Sequence, residues 1–241
     1  MATVITADTV PEAQPLTDGE RLTLAEYRER CAALESRGIE QRTELIRGVV
    51  RMTALPDRVF HGAPDVDLAF LLRMYALETP GTLSVGAAAL DVPDELQSAV
   101  GPDQQLLILP EFGGLSRRDG EKIVGVAEFA AETANTSART DLADKRDLYE
   151  AARVPEYFVH LVRKKSCIVF RLTDGGFEQV EFDGVFRSET FPGLHIDCDA
   201  LIARDLRQAL ATLKLGLATP EHAAFVERLA AIRDERSGDS I

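Results

Sequence analysis

Alternating apolar and polar positions predict a chain of mixed helices and strands. A first helix is expected from Thr23 to about Arg37, because apolar residues recur there at helical spacing and Thr23 and Glu26 form a T-x-x-E capping box. A second helix is expected from about Asp65 to Glu78. The segment "TELIRGVVRMT" between them predicts two short strands around a glycine. Further strands are predicted at residues 82–90, 104–109 and 123–133.

The middle of the chain predicts a strand–helix–strand unit. A polar turn follows strand 123–133, and a helix is expected from about Asp141 to Ala152 with Thr140 as its N-cap. Its apolar stripe is Leu142, Leu148, Tyr149 and Ala152. Three strands follow, in "EYFVHLV", "SCIVFRL" and "FEQVEFD", and helices are predicted at 199–215 and 220–235. This order predicts an α/β or α+β fold.

Composition narrows the class of protein. A chain of 241 residues with 45% hydrophobic residues can bury a sizeable core, as one larger domain or one domain with an appendage. No apolar run approaches the ~20 residues that cross a bilayer, so no membrane partner is expected. The first basic residue is Arg21, so the start is unlike a secretory signal. The three cysteines form no CxxC pair, which disfavours a zinc site and favours a reducing cytoplasm.

Charge and missing motifs exclude other classes. The formal net charge of −13 argues against a protein that coats polyanions non-specifically. It remains compatible with a local basic groove, or with an acidic site that a metal ion neutralises. The chain contains neither a GxSxG serine elbow nor a GxxxxGK[ST] phosphate loop, which disfavours serine hydrolases and nucleotide-dependent motors.

Carboxylates near apolar strands are candidate metal ligands. Asp103 precedes an apolar run, Glu44 flanks a short strand, and alternation places Glu128 and Glu132 on one face of their strand. Carboxylates at strand ends supply the oxygen ligands that Mg²⁺ and Mn²⁺ prefer. The alternative is that these strands simply end at the surface, where acidic residues are common.

Lys145 and His61 are candidate catalytic residues, and for each of them a purely structural role stays open. Lys145 lies on the helix after the Glu132 strand, and if that helix packs back on the sheet its ammonium could orient water or stabilise a phosphate. It could equally be a solvated lysine paired with Asp141. His61 precedes a helix, where a local hydrogen bond or cap is favoured over catalysis.

Several segments together resemble a known family. They are "ELIRGVV", "GPDQQLLILPEFGG" and "AETANTSARTDLADKRDLYEAARVPEYFV", and they are similar to the Uma-two family of endonucleases in the PD-(D/E)xK restriction-endonuclease-like superfamily. The likeness implies a restriction-endonuclease-like core over 22–205, after a flexible arm at 1–21 and before a C-terminal helical extension at 206–241. It implies a mixed sheet, with helices 24–37 and 66–78 on one face and helix 141–152 on the other.

The resemblance also implies a set of site residues. Asp103 matches the aspartate of the family's PD motif, Glu132 its strand glutamate and Glu44 its early glutamate. The superfamily lysine would stand at Ala134, so the resemblance implies that this function has moved to Lys145 on the helix. Two accessory positions are also implied, His61 and Glu128.

The implied function is divalent-metal-dependent hydrolysis of phosphodiester bonds in DNA, or in RNA. Asp103 and Glu132 would hold Mg²⁺ or Mn²⁺, Lys145 would assist attack by water, and Glu44 would complete the site. The family likeness further implies a homodimer. Two alternatives stay open: a catalytically silent nuclease-fold module that binds nucleic acid or a protein, and a metal-dependent hydrolase of a smaller phosphate ester.

Overall fold

The computed structural model describes residues 14–52, 62–90, 92–119, 122–134 and 141–238. The α-helices are α1 (Leu24–Glu35), α2 (Gly62–Glu78), α3 (Arg146–Ala151), α4 (Cys198–Ala203), α5 (Leu206–Leu217) and α6 (Pro220–Gly238). The strands are β1 (Thr43–Ile46), β2 (Val49–Met52), β3 (Thr82–Gly86), β4 (Gln104–Ile108), β5 (Arg117–Asp119), β6 (Lys122–Val124), β7 (Phe129–Ala134), β8 (Glu156–Leu161), β9 (Ser166–Thr173), β10 (Gly176–Gln179), β11 (Val185–Arg187) and β12 (His195–Asp197). A π-helical turn, Asp141–Lys145, leads directly into α3. Thr140 and His61 lie outside the described residues.

The first helix and the following hairpin confirm their predictions. Thr23 caps α1 with both bonds of a capping box: its backbone N–H donates to Glu26 Oε2 at 2.8 Å, and the Glu26 N–H donates to Thr23 Oγ1 at 3.2 Å. The turn between β1 and β2 places Arg47 and Gly48 at φ values of 49° and 75°. Two consecutive positive φ angles are typical of the type I′ turn that closes tight hairpins.

Six strands form the central sheet in the order β10-β9-β8-β7-β4-β3. Strands β7 and β8 run parallel, whereas each of the other neighbouring pairs in this sheet is antiparallel. The predicted mixed sheet is therefore confirmed. The prediction of one strand over 123–133 is wrong, because β6 pairs with β5 in a separate hairpin. Gly125 separates the two strands with a φ of 120°, and a Cβ there would lie only 3.0 Å from the Ser116 Cα.

Helices cover both faces of the sheet. On one face, α2 packs its three buried leucines and Tyr75 against Phe129 and Phe158. On the other face, Leu148 and Tyr149 of α3 pack in a second core with apolar residues of β7 and β8. A parallel pair needs a crossover connection, and the segment between β7 and β8 supplies it. The predicted placement of these two helices on opposite faces agrees with this arrangement.

The predicted position of the first helix, on the same face of the sheet as α2, is wrong. Helix α1 packs instead on the β1–β2 hairpin, in an apolar cluster of its own that we call the N-terminal cluster. Its buried members are Leu16, Leu24, Tyr27, Leu34, Leu45 and Val50. A short antiparallel bridge between Leu45 and Ala99 links this cluster to the rest of the molecule.

The C-terminal helices share the core that lies beneath α2. Leu213 of α5 and Phe225 and Leu229 of α6 are buried in it. The division of the chain at residue 205 stays a prediction. No helix in the described ranges is both long and apolar enough to cross a membrane.

Candidate active site

A buried lysine lies between two glutamates from different parts of the chain. The Lys145 Nζ is 2.8 Å from Glu132 Oε1 and 3.0 Å from Glu44 Oε1. All three residues are buried, and Lys145 is only 6% exposed. A lysine is almost never buried to this extent unless its charge is paired, so the two carboxylates account for its position.

Three elements bring these side chains together. Glu132 lies on β7, and the crossover that leads to the parallel strand β8 returns Lys145 over it at the end of the π-helical turn. Glu44 comes from β1, which is held in place by two backbone hydrogen bonds of 2.8 Å between Leu45 and Ala99. The Gly101 N–H also donates to Glu44 Oε1 at 3.1 Å.

Tyr149 is a further member of the site. Its hydroxyl donates to Glu132 Oε1 at 2.8 Å, so it shares this oxygen with Lys145. Burial raises the pKa of the Tyr149 hydroxyl well above its ordinary value, and the Glu132 charge raises it further, so the group is a neutral donor. The sequence predicted Tyr149 only as part of an apolar stripe. Its position four residues after Lys145, on the same helix face, is the signal that could have identified it.

Asp103 lies beside Glu132 at the edge of the sheet. The Thr133 N–H donates to Asp103 Oδ2 at 2.8 Å. Strands β4 and β7 pair with Gln104 opposite Ala131, so one further step of this register brings Asp103 opposite Glu132. The structure thus brings together four of the predicted site residues: Asp103, Glu132, Lys145 and Glu44.

Glu128 has a different environment. Its two carboxylate oxygens accept backbone N–H bonds from Ile108 at 2.8 Å and from Leu115 at 2.6 Å. Burial raises the pKa of the Glu128 carboxyl, and these two bonds offset part of that rise. The neighbouring Gly114 passes so close that a Cβ would lie 1.9 Å from the Ile108 carbonyl oxygen. Glu128 therefore fastens the loop after β4 and stands apart from Lys145.

A second polar group lies on the opposite face of β7. Gln104 Nε2 donates to both oxygens of Asp65 at 3.1 Å, and Thr133 Oγ1 donates to Asp65 Oδ1 at 3.4 Å. His160 pairs with Thr133 across β7 and β8, is 2% exposed, and has no partner for Nδ1 among the described residues. Burial lowers the pKa of His160 to about 4, so the ring is neutral at pH 7.

The charge balance at the first site suits a divalent cation. One ammonium group faces the carboxylates of Glu44 and Glu132, and Asp103 adds a third negative charge nearby. In the part of the chain that the structure describes, no three His, Cys, Asp or Glu side chains are grouped as a metal cage. Mg²⁺ commonly binds through one or two carboxylates with waters and substrate phosphates, so the donor set of Asp103 and Glu132 fits it.

Comparisons with known proteins agree with this arrangement. Residues 24–230 match the family described as "Uma2: Putative restriction endonuclease". Among solved structures, the chain is similar to a "putative nuclease belonging to DUF820" from Anabaena variabilis ATCC 29413, with a TM-score of 0.59 and 12% identity over 76% of this chain and 98% of that one. No curated protein matches. The resemblance read from the sequence is confirmed: the chain belongs to the Uma2 family and has the fold of a restriction-endonuclease-like nuclease.

Proposed function

We propose that the protein is a divalent-metal-dependent nuclease that hydrolyses phosphodiester bonds of DNA. The observation that carries the proposal is the contact of the Lys145 ammonium with Glu132 Oε1 at 2.8 Å. A lysine supplied by the helix thereby reaches the strand glutamate, although the strand itself has Ala134 at the position two residues later. Membership of the Uma2 family supports the same conclusion.

Asp103 and Glu132 are the residues that would hold the metal ion, Mg²⁺ or Mn²⁺. When bound, the ion supplies Lewis acidity, polarising the scissile phosphate and lowering the pKa of the attacking water. The backbone N–H of Thr133 fixes one oxygen of Asp103, and Tyr149 and Lys145 fix one oxygen of Glu132. Both ligands are therefore held in place before substrate binds, which reduces the reorganisation that binding requires.

Lys145 is the proposed hydrogen-bond donor to the attacking water and the scissile phosphate. Its ammonium orients the attacking water and offsets the negative charge that develops on the phosphate. Glu44 has a positioning role, because its Oε1 lies 3.0 Å from Lys145 Nζ. Loss of Glu44 would remove a carboxylate that pairs with Lys145.

The direct test is metal-dependent cleavage of plasmid DNA, single-stranded DNA and RNA by the purified chain. We expect cleavage with Mg²⁺ or Mn²⁺, none in EDTA, and at least a hundredfold lower rate in Asp103→Asn and Glu132→Gln proteins, since each loses a charged ligand. Glu227→Gln is the matched control, because this carboxylate is exposed on α6. Cleavage that persists in both site variants would refute the assignment.

A catalytically silent module that binds nucleic acid or a protein is the second candidate. The net charge of −13 favours it, because a nuclease must attract a polyanion. Calorimetry with Mn²⁺ separates the two: the nuclease binds the ion and Glu132→Gln abolishes binding, whereas the silent module gives no heat and no cleavage. We also propose that the nuclease forms a homodimer. Size-exclusion chromatography with light scattering tests this by measuring the molar mass of the purified protein.

A further inference from the structure

The turn between β8 and β9 carries three consecutive cations. Arg163, Lys164 and Lys165 are all exposed, at the end of a chain segment that is otherwise buried in the sheet. The Lys165 N–H donates to the Val162 carbonyl at 3.3 Å, and Lys165 has a positive φ of 50°. This closed turn presents a compact positive charge on a protein whose net charge is −13.

The basic turn lies at the same edge of the sheet as the candidate active site. Strands β7 and β8 are parallel, with Glu132 opposite Val159 and Ala134 opposite Leu161. Their carboxyl ends therefore meet at one edge, where β8 continues into the turn. Asp103 reaches the same edge from the start of β4, which runs antiparallel to β7.

The spacing between turn and site suits a nucleic-acid backbone. Arg163 follows Val159, the partner of Glu132, by four positions, and at ~3.3 Å per residue this is about 13 Å along the strand. Phosphates of one DNA strand recur every ~3.4 Å along the duplex axis. For a duplex whose axis runs along these strands, the turn therefore lies about four steps from a phosphate bound through the metal at Asp103 and Glu132.

The other basic stretch of the chain is placed differently. Arg117, Arg118 and Lys122 belong to the β5–β6 hairpin, which precedes β7 and so adjoins its opposite end. Glu128 marks that end, because it binds the N–H of Ile108 at the last residue of β4. Each stretch contains three basic residues, although Asp119 and Glu121 reduce the net charge of the hairpin. The two lie at opposite ends of the parallel pair β7 and β8.

We propose that the turn at 163–165 binds the sugar-phosphate backbone of the nucleic acid on one side of the scissile bond. This inference rests on the proposed nuclease function for its substrate, but it concerns a separate surface. Contacts of lysine and arginine with phosphates release counterions, so the signature is a salt dependence that scales with the number of contacts. Because phosphate contacts carry no direct sequence information, this surface would set affinity and register rather than specificity.

Two triple variants test the proposal with equal changes of charge. Arg163→Gln/Lys164→Gln/Lys165→Gln removes the basic turn, and Arg117→Gln/Arg118→Gln/Lys122→Gln is the control. Binding of a fluorescent DNA duplex is measured by anisotropy in EDTA at several salt concentrations, and KM for cleavage is measured with Mg²⁺. We expect the log–log salt slope to become less negative by about 2 to 3 in the turn variant, at ~0.9 per phosphate, with a raised KM. The control keeps the wild-type slope and KM.

The possible failures are distinguishable. Equal slopes for wild type and turn variant, or equal losses in both variants, would overturn the role of the turn even if DNA is cleaved. DNA binding with a turn-dependent slope, but without cleavage under any metal, supports the binding surface and overturns the nuclease. Thermal unfolding of both variants at the wild-type midpoint confirms that the substitutions leave the fold intact.

Discussion

Replacing Lys145 by methionine removes the cation that separates Glu44 from Glu132. Both Oε1 atoms lie within 3.0 Å of Nζ, so these two oxygens are about 6 Å apart or less. With an effective dielectric constant of about 20, two unit charges at that distance repel by about 3 kcal/mol. Removing one partner from a buried ion pair typically costs about 3–5 kcal/mol. We expect the free energy of unfolding at pH 7 to fall by about that amount.

Urea unfolding of three variants, each compared with the wild type, measures this effect: Lys145→Met, a double variant and a control. The double variant Lys145→Met/Glu44→Gln should recover part of the lost stability, because one of the two repelling charges is gone. Lys214→Met, at an exposed position on α5, is the control and should change stability by less than about 0.5 kcal/mol.

The metal dependence of the lysine variant has a defined sign. Mg²⁺ should stabilise the variant more than the wild type if the site accepts a cation. A loss below about 1 kcal/mol, with no recovery in the double variant, would refute the view that Lys145 compensates two buried charges.

Three further substitutions have expected outcomes. Glu128→Gln should cost about 1–3 kcal/mol in urea unfolding, because an amide N–H replaces one of two oxygens that accept backbone bonds; an unchanged midpoint would contradict its role in fastening the loop. The wild type should lose about 3 kcal/mol of stability as the pH falls from about 6.5 to about 4, since the folded His160 ring has a pKa of about 4. The His160→Leu variant should not show this loss; parallel pH profiles of the two proteins would argue against a neutral buried ring. Tyr149→Phe should lower the free energy of unfolding by about 1.5–3 kcal/mol through loss of its bond to the charged Glu132, and a change below about 0.5 kcal/mol would count against that bond.

Local sequence patterns suggested one half of the candidate site, and the family resemblance favoured it over a solvated lysine. Glu132 and Lys145 are thirteen residues apart, and a strand, a turn and a returning helix suffice to bring them together. Glu44 is different, because its contact with Lys145 depends on how the β1–β2 hairpin docks, which no local pattern encodes. The strand pattern offered Glu44 as a candidate metal ligand, but only the family resemblance placed it in one site with Lys145.

The errors also have physical causes. Tyr149 was predicted only as part of an apolar stripe, because helical periodicity does not register the hydroxyl group that binds Glu132. The break at Gly125 was missed because "IVGVAEFAAETA" is apolar on both sides of the glycine, whereas the close approach of Ser116 is a tertiary contact. Helix α1 was placed on the wrong surface because the resemblance implied a position on the central sheet, and its apolar stripe does not itself identify the surface on which it packs.

The N-terminal cluster has a consequence for the dynamics of the molecule. Its six buried residues form a unit with an apolar interior separate from the two cores of the sheet, and Glu44 is the residue of β1 that this unit contributes to Lys145. Units of this kind can open at a lower free energy than the whole protein. In native-state hydrogen exchange, amides of α1, β1 and β2 should therefore exchange at a lower opening free energy than those of β7 and β8. Each such opening would move Glu44 away from Lys145 while the sheet stays folded. The fraction of molecules with a complete site therefore depends on the local stability of the N-terminal cluster, which is far in sequence from Asp103 and Glu132.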